Sequence, residues 1–497
     1  MRRKRTQQTK DGTGRPLPLW RSSGLLARLV LPCFAVLCMA ATGSAAARGH
    51  KPHPNPRSHQ PAASRPAPPA VSAMNGFGAA RLGLPGFEQQ MAAMRSHGVQ
   101  VVRIDAPWAV IEPQPPGPAG HSWQFAQTDA WAVALAVRHL TWEPLLDYSV
   151  GWAKTCPGNC PPTDDSTYAA FARAVAARYG EHGSFWAEHP ELPYYPARIF
   201  EVWNEENTSV YWSTGPNAGQ YARLYMAARA AIKAVDPPAS VIVGGLAGPD
   251  VAFNPQQDYP AQFVQHMLTA QPSLRGHIDG FGLHPYAPSA QDSVEWTVHF
   301  REVLDTLGEG SAPIDITEFG WPAGVLPARE TWRGWMLNTI AYWLGRSNCG
   351  IGLLAPYDWI NPLNAQDSPD FGLVGRAGTS TTLRGSGATW FHALKLAAST
   401  PERMICSAPG RRGHTVGSGD VRLIPTGPAP PDALVNIFSL AHLLAGGGQA
   451  SGAYPGRCWA LAAQPWNDWL LALRRPRASR VTSLTVKRAC GSRVRVS

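Results

Sequence analysis

The chain has 497 residues, is 44% hydrophobic and carries a formal net charge of +10. That composition can bury a sizeable core and excludes disorder throughout, and 48 Gly with 47 Pro fall short of a low-complexity chain. The charge is divided: residues 1–73 carry net +11, residues 74–375 net −13 and residues 376–497 net +12, so the acidic middle excludes a nucleic-acid-binding core, which needs a basic face.

The N-terminus begins Met1-Arg2-Arg3-Lys4-Arg5, continues into an apolar run from Leu29 to Ala41, and reaches Ala45-Ala46-Ala47. A charged region, a short apolar region and a small-residue cleavage site read as an export signal over 1–47. An uncleaved N-terminal anchor is the alternative. Residues 48–73 are rich in Pro, Ala and Ser and read as an extended linker, fit to tether a domain at a cell wall or membrane surface. The expected location is therefore secreted or cell-surface.

Regular patterning starts near Asn75. Strands are expected at Gly76–Ala79, Val99–Ala106, Thr141–Tyr148, Ala197–Glu205, Ser240–Ala247, Ile278–Tyr286, Pro313–Trp321 and Gly350–Trp359. Helical stretches lie between them, such as Phe87–Ser96, Thr167–Tyr179, Ala218–Val235, Gln291–Leu307 and Arg329–Leu344, and Ala388–Ala398 reads as the last helix. Eight strand–helix alternations predict an α/β fold, a (β/α)8 TIM barrel over 74–398. A doubly wound open sheet is the runner-up, disfavoured because polar residues recur at the C-terminal end of strand after strand. Residues 399–497 read as a basic tail or partial accessory domain, a short, truncated β module or a disordered segment, whose last stretch, VTSLTVKRACGSRVRVS, alternates like two strands around a turn.

Those strand ends carry the chemistry. They supply Arg103, Asp105 and Trp108 on the second strand, Asp147, Tyr148 and Trp152 on the third, and Trp203, Asn204, Glu205 and Glu206 on the fourth. The sixth supplies His284 and Tyr286, the seventh Glu318 and Trp321, and the eighth Asp358 and Trp359. Two carboxylates facing each other across a barrel mouth fit glycosidic-bond cleavage with retention, in which one protonates the leaving oxygen and the other attacks the anomeric carbon. Nineteen tryptophans point toward an aromatic groove for flat sugar faces. Glu143 and Glu201, nearer the strand starts, read as bottom-face or helix-pairing groups.

WNEEN on the fourth strand and ITEFGW on the seventh resemble the acid/base and nucleophile motifs of the clan A glycoside hydrolases, most like family 39 and more loosely family 5. The resemblance covers about Asn75 to Gly375. It implies Glu205 as general acid/base, Asn204 as a ligand of the substrate 2-hydroxyl, Glu318 as nucleophile and Arg103 as support for its charge. It further implies that Tyr286 hydrogen-bonds Glu318, His284 lines the site and Trp359 floors the subsite at the scissile sugar. Trp108, Tyr148, Trp152 and Trp321 complete the expected substrate-contacting set. Glu206 stands where the family pattern has proline and reads as a solvated rim residue. The chain lacks H-E-x-x-H, G-x-x-x-x-G-K-[ST] and G-x-S-x-G, and two-carboxylate chemistry needs neither metal nor cofactor. The expected activity is that of an exported retaining glycosidase acting on a polysaccharide or glycoside. The alternative is a catalytically inactive sugar-binding barrel tethered at the cell surface.

Six cysteines lie beyond the export signal. Cys156 and Cys160 lie in the loop CPGNC, where C-x3-C spacing and an oxidising compartment favour a local disulfide. Cys349 and Cys406, with Cys458 and Cys490, have no pairing legible in the sequence.

Overall fold

A computed structural model of the protein describes residues 67–248, 259–323, 327–361, 370–377 and 380–406, and strand backbone at 433–436, 458–463, 469–474, 484–487 and 493–496. The expected export signal and most of the linker lie outside the described residues. Eight parallel strands close into a barrel in sequence order: β1 (Val71–Asn75), β2 (Val101–Pro107), β3 (Thr141–Asp147), β4 (Ile199–Asn204), β5 (Ser240–Ala247), β6 (Gly280–His284), β7 (Ile314–Ile316) and β8 (Ile351–Leu354). The principal helices are α1 (Leu84–Ser96), α2 (Ala126–Ala136), α3 (Asp165–Tyr179), α4 (Ala218–Lys233), α5 (Pro260–Ala270), α6 (Ala290–Leu307), α7 (Pro327–Leu344) and α8 (Gly385–Ser399). This is the (β/α)8 barrel that the alternation predicts.

Local chemistry sets the helix starts. Asp164, Asn217 and Ser289 cap α3, α4 and α6 by accepting hydrogen bonds from Ser166 N, Gln220 N and Asp292 N. Gly308, in the left-handed region at φ 88°, ends α6.

The first strand is a correction. Gly76–Ala79 is not β structure; Phe77–Ala80 forms a helical turn, and β1 begins at Val71, inside the stretch read as linker. VSAMN has one β-branched residue and follows a Pro-rich run, so its strand character comes from pairing with β2 and β8 rather than from propensity.

The barrel interior is polar where such barrels are usually filled by branched apolar side chains. Arg103, Glu143, Glu201 and Asp315 are all buried in it. Glu143 and Glu201 therefore do not face the barrel bottom or the outer helices as expected from sequence. Glycines make the space. A β-carbon on Gly282 would lie 2.9 Å from a Glu201 oxygen, and one on Gly352 would lie 2.1 Å from an Asp315 oxygen.

Disulfides join Cys156 to Cys160, as the spacing predicts, and Cys349 to Cys406. The second ties the segment after α8 to the loop entering β8. In the tail, strands at Leu484–Lys487 and Arg493–Val496 pair antiparallel around a turn, matching the alternation read there. A separate three-stranded antiparallel sheet contains Ala433–Asn436, Trp469–Arg474 and Cys458–Ala463. Among the described residues no helix is long and apolar enough to cross a membrane.

Candidate active site

The end of β4 does not obey simple strand alternation. Trp203 and Glu205 both lie in the left-handed region, at φ 70° and 48°, a costly conformation for non-glycine residues, on the order of 1–3 kcal/mol each. Packing holds it in place. The Trp203 indole is wholly buried, donates to the Tyr211 carbonyl at 2.7 Å and meets Tyr148, Tyr168 and Trp212. The result is that the neighbours Asn204 and Glu205 both reach the mouth, while Glu206 turns away into the core.

Arg103 is the hub. Its Nε pairs with Glu201, Nη1 donates to Glu318 Oε1 at 2.7 Å, and Nη2 donates to Asn204 Oδ1 at 2.8 Å. Tyr286 donates its hydroxyl to the other Glu318 oxygen at 2.9 Å. His284 is fully buried, with Nδ1 at 2.8 Å from Glu205 Oε1 and 3.8 Å from Glu318 Oε2. Its Nε2 lies 3.0 Å from Thr317 Oγ1, and Thr317 donates to Glu201 at 3.0 Å. Since the Thr317 proton goes to Glu201, His284 Nε2 donates to Thr317, and one further proton is shared between His284 Nδ1 and Glu205. An oxygen of Glu205, a nitrogen of His284 and an oxygen of Glu318 all lie within 4.8 Å of one another.

The two glutamates differ electrically. Burial pushes the Glu318 carboxyl up, but the charges of His284 and Arg103 and the hydrogen bonds from Tyr286 and Arg103 outweigh it and hold it below the usual glutamate range. Glu205 has no arginine on it; its partner is His284. Glu205, His284 and Glu318 offer the donor atoms a divalent cation takes. However, both Glu318 oxygens are already engaged by Arg103 and Tyr286, and the guanidinium opposes a second cation.

His284 fits only because residue 245 is glycine: a β-carbon there would lie 1.9 Å from Nε2. Gly245→Ala is expected to cost roughly 1–3 kcal/mol through overpacking, read by thermal denaturation.

Arg103, Asn204, Glu205, His284, Tyr286 and Glu318 thus come together. Most of the tryptophans do not join them. Trp108 is fully buried, stacked on Phe171 and hydrogen-bonded to Glu112. Trp321 is buried with its indole donating to the Ala287 carbonyl. Trp359, expected as a subsite floor, is wholly buried, donates to Gln90 of α1 and packs against His97 and Phe391, so it offers a sugar no face. Trp152 is half-buried against Trp108, with its indole donating to the Glu112 carbonyl. Tyr148 is half-buried and stacks on Tyr211 at 5.9 Å and 22°.

Tyrosine rather than tryptophan lines the mouth. Tyr211 and Tyr357 are half-buried, and burial together with the nearby carboxylates, Glu205 and Glu318 for Tyr211, Asp358 and Glu318 for Tyr357, pushes both phenols up. Tyr357 was missed because Trp359, two residues on, is the more conspicuous aromatic. Glu206 also departs from expectation: it is fully buried, and burial pushes its carboxyl well above the ordinary range. Tyr221 beside it gives its proton to the Val202 carbonyl at 2.7 Å. Asp358 is likewise buried, accepting from Gly78 N at 3.0 Å and Trp359 N at 2.6 Å.

No protein-family model matches the sequence, and no curated protein matches it. Solved structures do. A glucosidase from Croceicoccus marinus is similar with a TM-score of 0.52 at 15% identity, covering 86% of each chain. A family 39 glycoside hydrolase from the gut symbiont Bacteroides cellulosilyticus WH2 has a TM-score of 0.50 at 14% identity, covering 82% of this chain and 79% of that one. A monomeric β-xylosidase from Caulobacter crescentus CB15 has a TM-score of 0.49 at 16% identity, covering 86% and 81%. At these identities the first two likenesses establish the fold alone, the (β/α)8 barrel.

Proposed function

We propose that the protein is an exported retaining glycoside hydrolase that cleaves O-glycosidic bonds of a polysaccharide or glycoside by double displacement. The observation that carries this reading is that an oxygen of Glu205 and an oxygen of Glu318 lie within 4.8 Å of each other, an approach that suits the ~5–5.5 Å between the carboxyl groups of retaining pairs better than the ~6.5–9.5 Å that leaves room for an inverting water. In the first step Glu318, held ionised by Arg103 and His284, attacks the anomeric carbon while Glu205 gives its proton to the leaving oxygen. In the second, Glu205 takes a proton from water, which attacks the same carbon and frees Glu318. His284 holds Glu205 throughout, and Asn204, fixed by Arg103, presents its amide to the sugar. Export rests on the order of basic, apolar and small residues at the N-terminus.

The test is a panel of aryl glycosides and polysaccharides with the full chain, followed by proton NMR of the first product. Release of a sugar with retained anomeric configuration is expected. An inverted first product, or none across the panel, overturns the reading.

A further inference from the structure

Two carboxyl groups in the mouth have no part in the reaction above. Alternation along β2 puts Asp105 on the inward face with Arg103, one layer farther out. On β3 the register sets Glu143 opposite Arg103, Leu145 opposite Asp105 and Asp147 opposite Pro107, so Asp147 shares the inward face of the adjoining strand. Asp105 is half-buried, and no protein group hydrogen-bonds or ion-pairs with its carboxylate among the described residues. Asp147 is 7% exposed, and its Oδ1 is buried with no hydrogen-bond partner.

The nearby cations do not answer this charge. Arg103 is committed to Glu201, Glu318 and Asn204. Arg81 is exposed and lies over the Phe77 ring at 3.9 Å. Burial raises Asp105 to about 6, although Arg103 and Arg81 pull the other way, and burial followed by the Asp105 charge pushes Asp147 up. A buried acceptor left without a donor is costly. Asp147 is such a group, and with half-buried Asp105 on the adjacent strand, beside an ionised Glu318, it makes a place for a ligand that brings both positive charge and several N–H donors. A sugar hydroxyl brings one donor and no charge; a protonated primary amine brings three donors and the charge.

We propose that Asp105 and Asp147 form a subsite for the ammonium group of an amino sugar, so that the substrate is an oligosaccharide containing a de-N-acetylated hexosamine. The proposal rests on the glycosidase reading. It makes Asp105 a determinant of specificity rather than of bond cleavage.

The experiment compares two aryl disaccharides with the same leaving group, a glucosaminyl-glucoside and a cellobioside, using full-length wild type, Asp105→Asn and Asp147→Asn; the amine then lies on the sugar beyond the scissile one, away from the Asn204 amide, which has only N–H donors to offer because Arg103 holds its oxygen. Wild type is expected to favour the glucosaminyl-glucoside. Asp105→Asn is expected to cut kcat/KM for it on the order of 10–100-fold while leaving the cellobioside within a few-fold. A wild type that prefers the cellobioside, or a variant that slows both substrates equally, overturns the proposal. Calorimetry with a glucosamine tetrasaccharide on the Glu318→Gln chain reads the subsite without turnover. Binding that Asp105→Asn abolishes supports it even if the hydrolysis screen fails, and binding that the substitution leaves unchanged overturns it even if hydrolysis succeeds. Thermal denaturation of each variant separates loss of binding from loss of fold.

Discussion

Glu318→Ala and Glu205→Ala are expected to fail in different ways. Without Glu318 no glycosyl-enzyme forms, so turnover falls for every substrate, and azide filling the cavity gives product of inverted configuration. Without Glu205 the first step survives on a dinitrophenyl glycoside, which leaves without a proton, while substrates with poor leaving groups lose roughly 10²–10⁴-fold. The glycosyl-enzyme then accumulates, because no base activates water, and azide releases it with retained configuration. Kinetics across a series of leaving groups, with mass spectrometry of the intermediate, check both halves. If Glu206→Ala shows the leaving-group dependence and Glu205→Ala does not, the acid/base has been assigned to the wrong neighbour.

Arg103→Met is expected to be the most damaging change away from the two catalytic glutamates. It removes the guanidinium that Glu201, Glu318 and Asn204 share, leaving Glu201 buried with Thr317 alone. Stripping one partner from a buried ion pair costs about 3–5 kcal/mol, measurable by denaturant unfolding. The pH dependence has a definite sign. Burial raises the Glu318 carboxyl, but His284, Arg103 and Tyr286 hold its folded-state pKa below the unfolded one. Its contribution to stability is therefore present above the unfolded pKa and is lost as pH falls through the folded value. Arg103→Met moves the folded pKa upward, so the acid limb of the kcat/KM profile shifts to higher pH and less stability is lost on acidification. An acid limb that stays in place would show that Arg103 does not act on Glu318.

The barrel was legible because strand–helix alternation is a long-range pattern that eight repeats make hard to mistake. The polar strand ends were legible because such residues are costly inside a sheet unless they converge on a site. Three things were hidden for physical reasons. Glu201 and Glu143 look like bottom-face residues, but Gly282, far away in sequence, opens the interior for Glu201, and Glu143, opposite Arg103 on the next strand, faces the same interior. Glu206 looks like a rim residue because alternation assumes regular strand dihedrals, and the left-handed turns at Trp203 and Glu205 break that assumption. The tryptophans suggested a sugar groove, but an indole is also the largest available filler for gaps between strands and helices, and Trp108, Trp212 and Trp359 serve as that.

The strand that delivers Glu318 is also the shortest stave of the barrel. β7 has three residues and pairs at two positions with β6 and two with β8, whereas β2 and β3 pair at seven. Backbone pairing therefore restrains this stave as little as it does β8, which also pairs at two positions on each side, and local opening is cheapest where pairing is sparse. The nucleophile is instead held by side chains, from across the mouth by Arg103 on β2 and from the neighbouring stave by Tyr286 just beyond β6. Its aim is thus a property of other strands than its own, and amide exchange along β7 would report whether those side chains hold it.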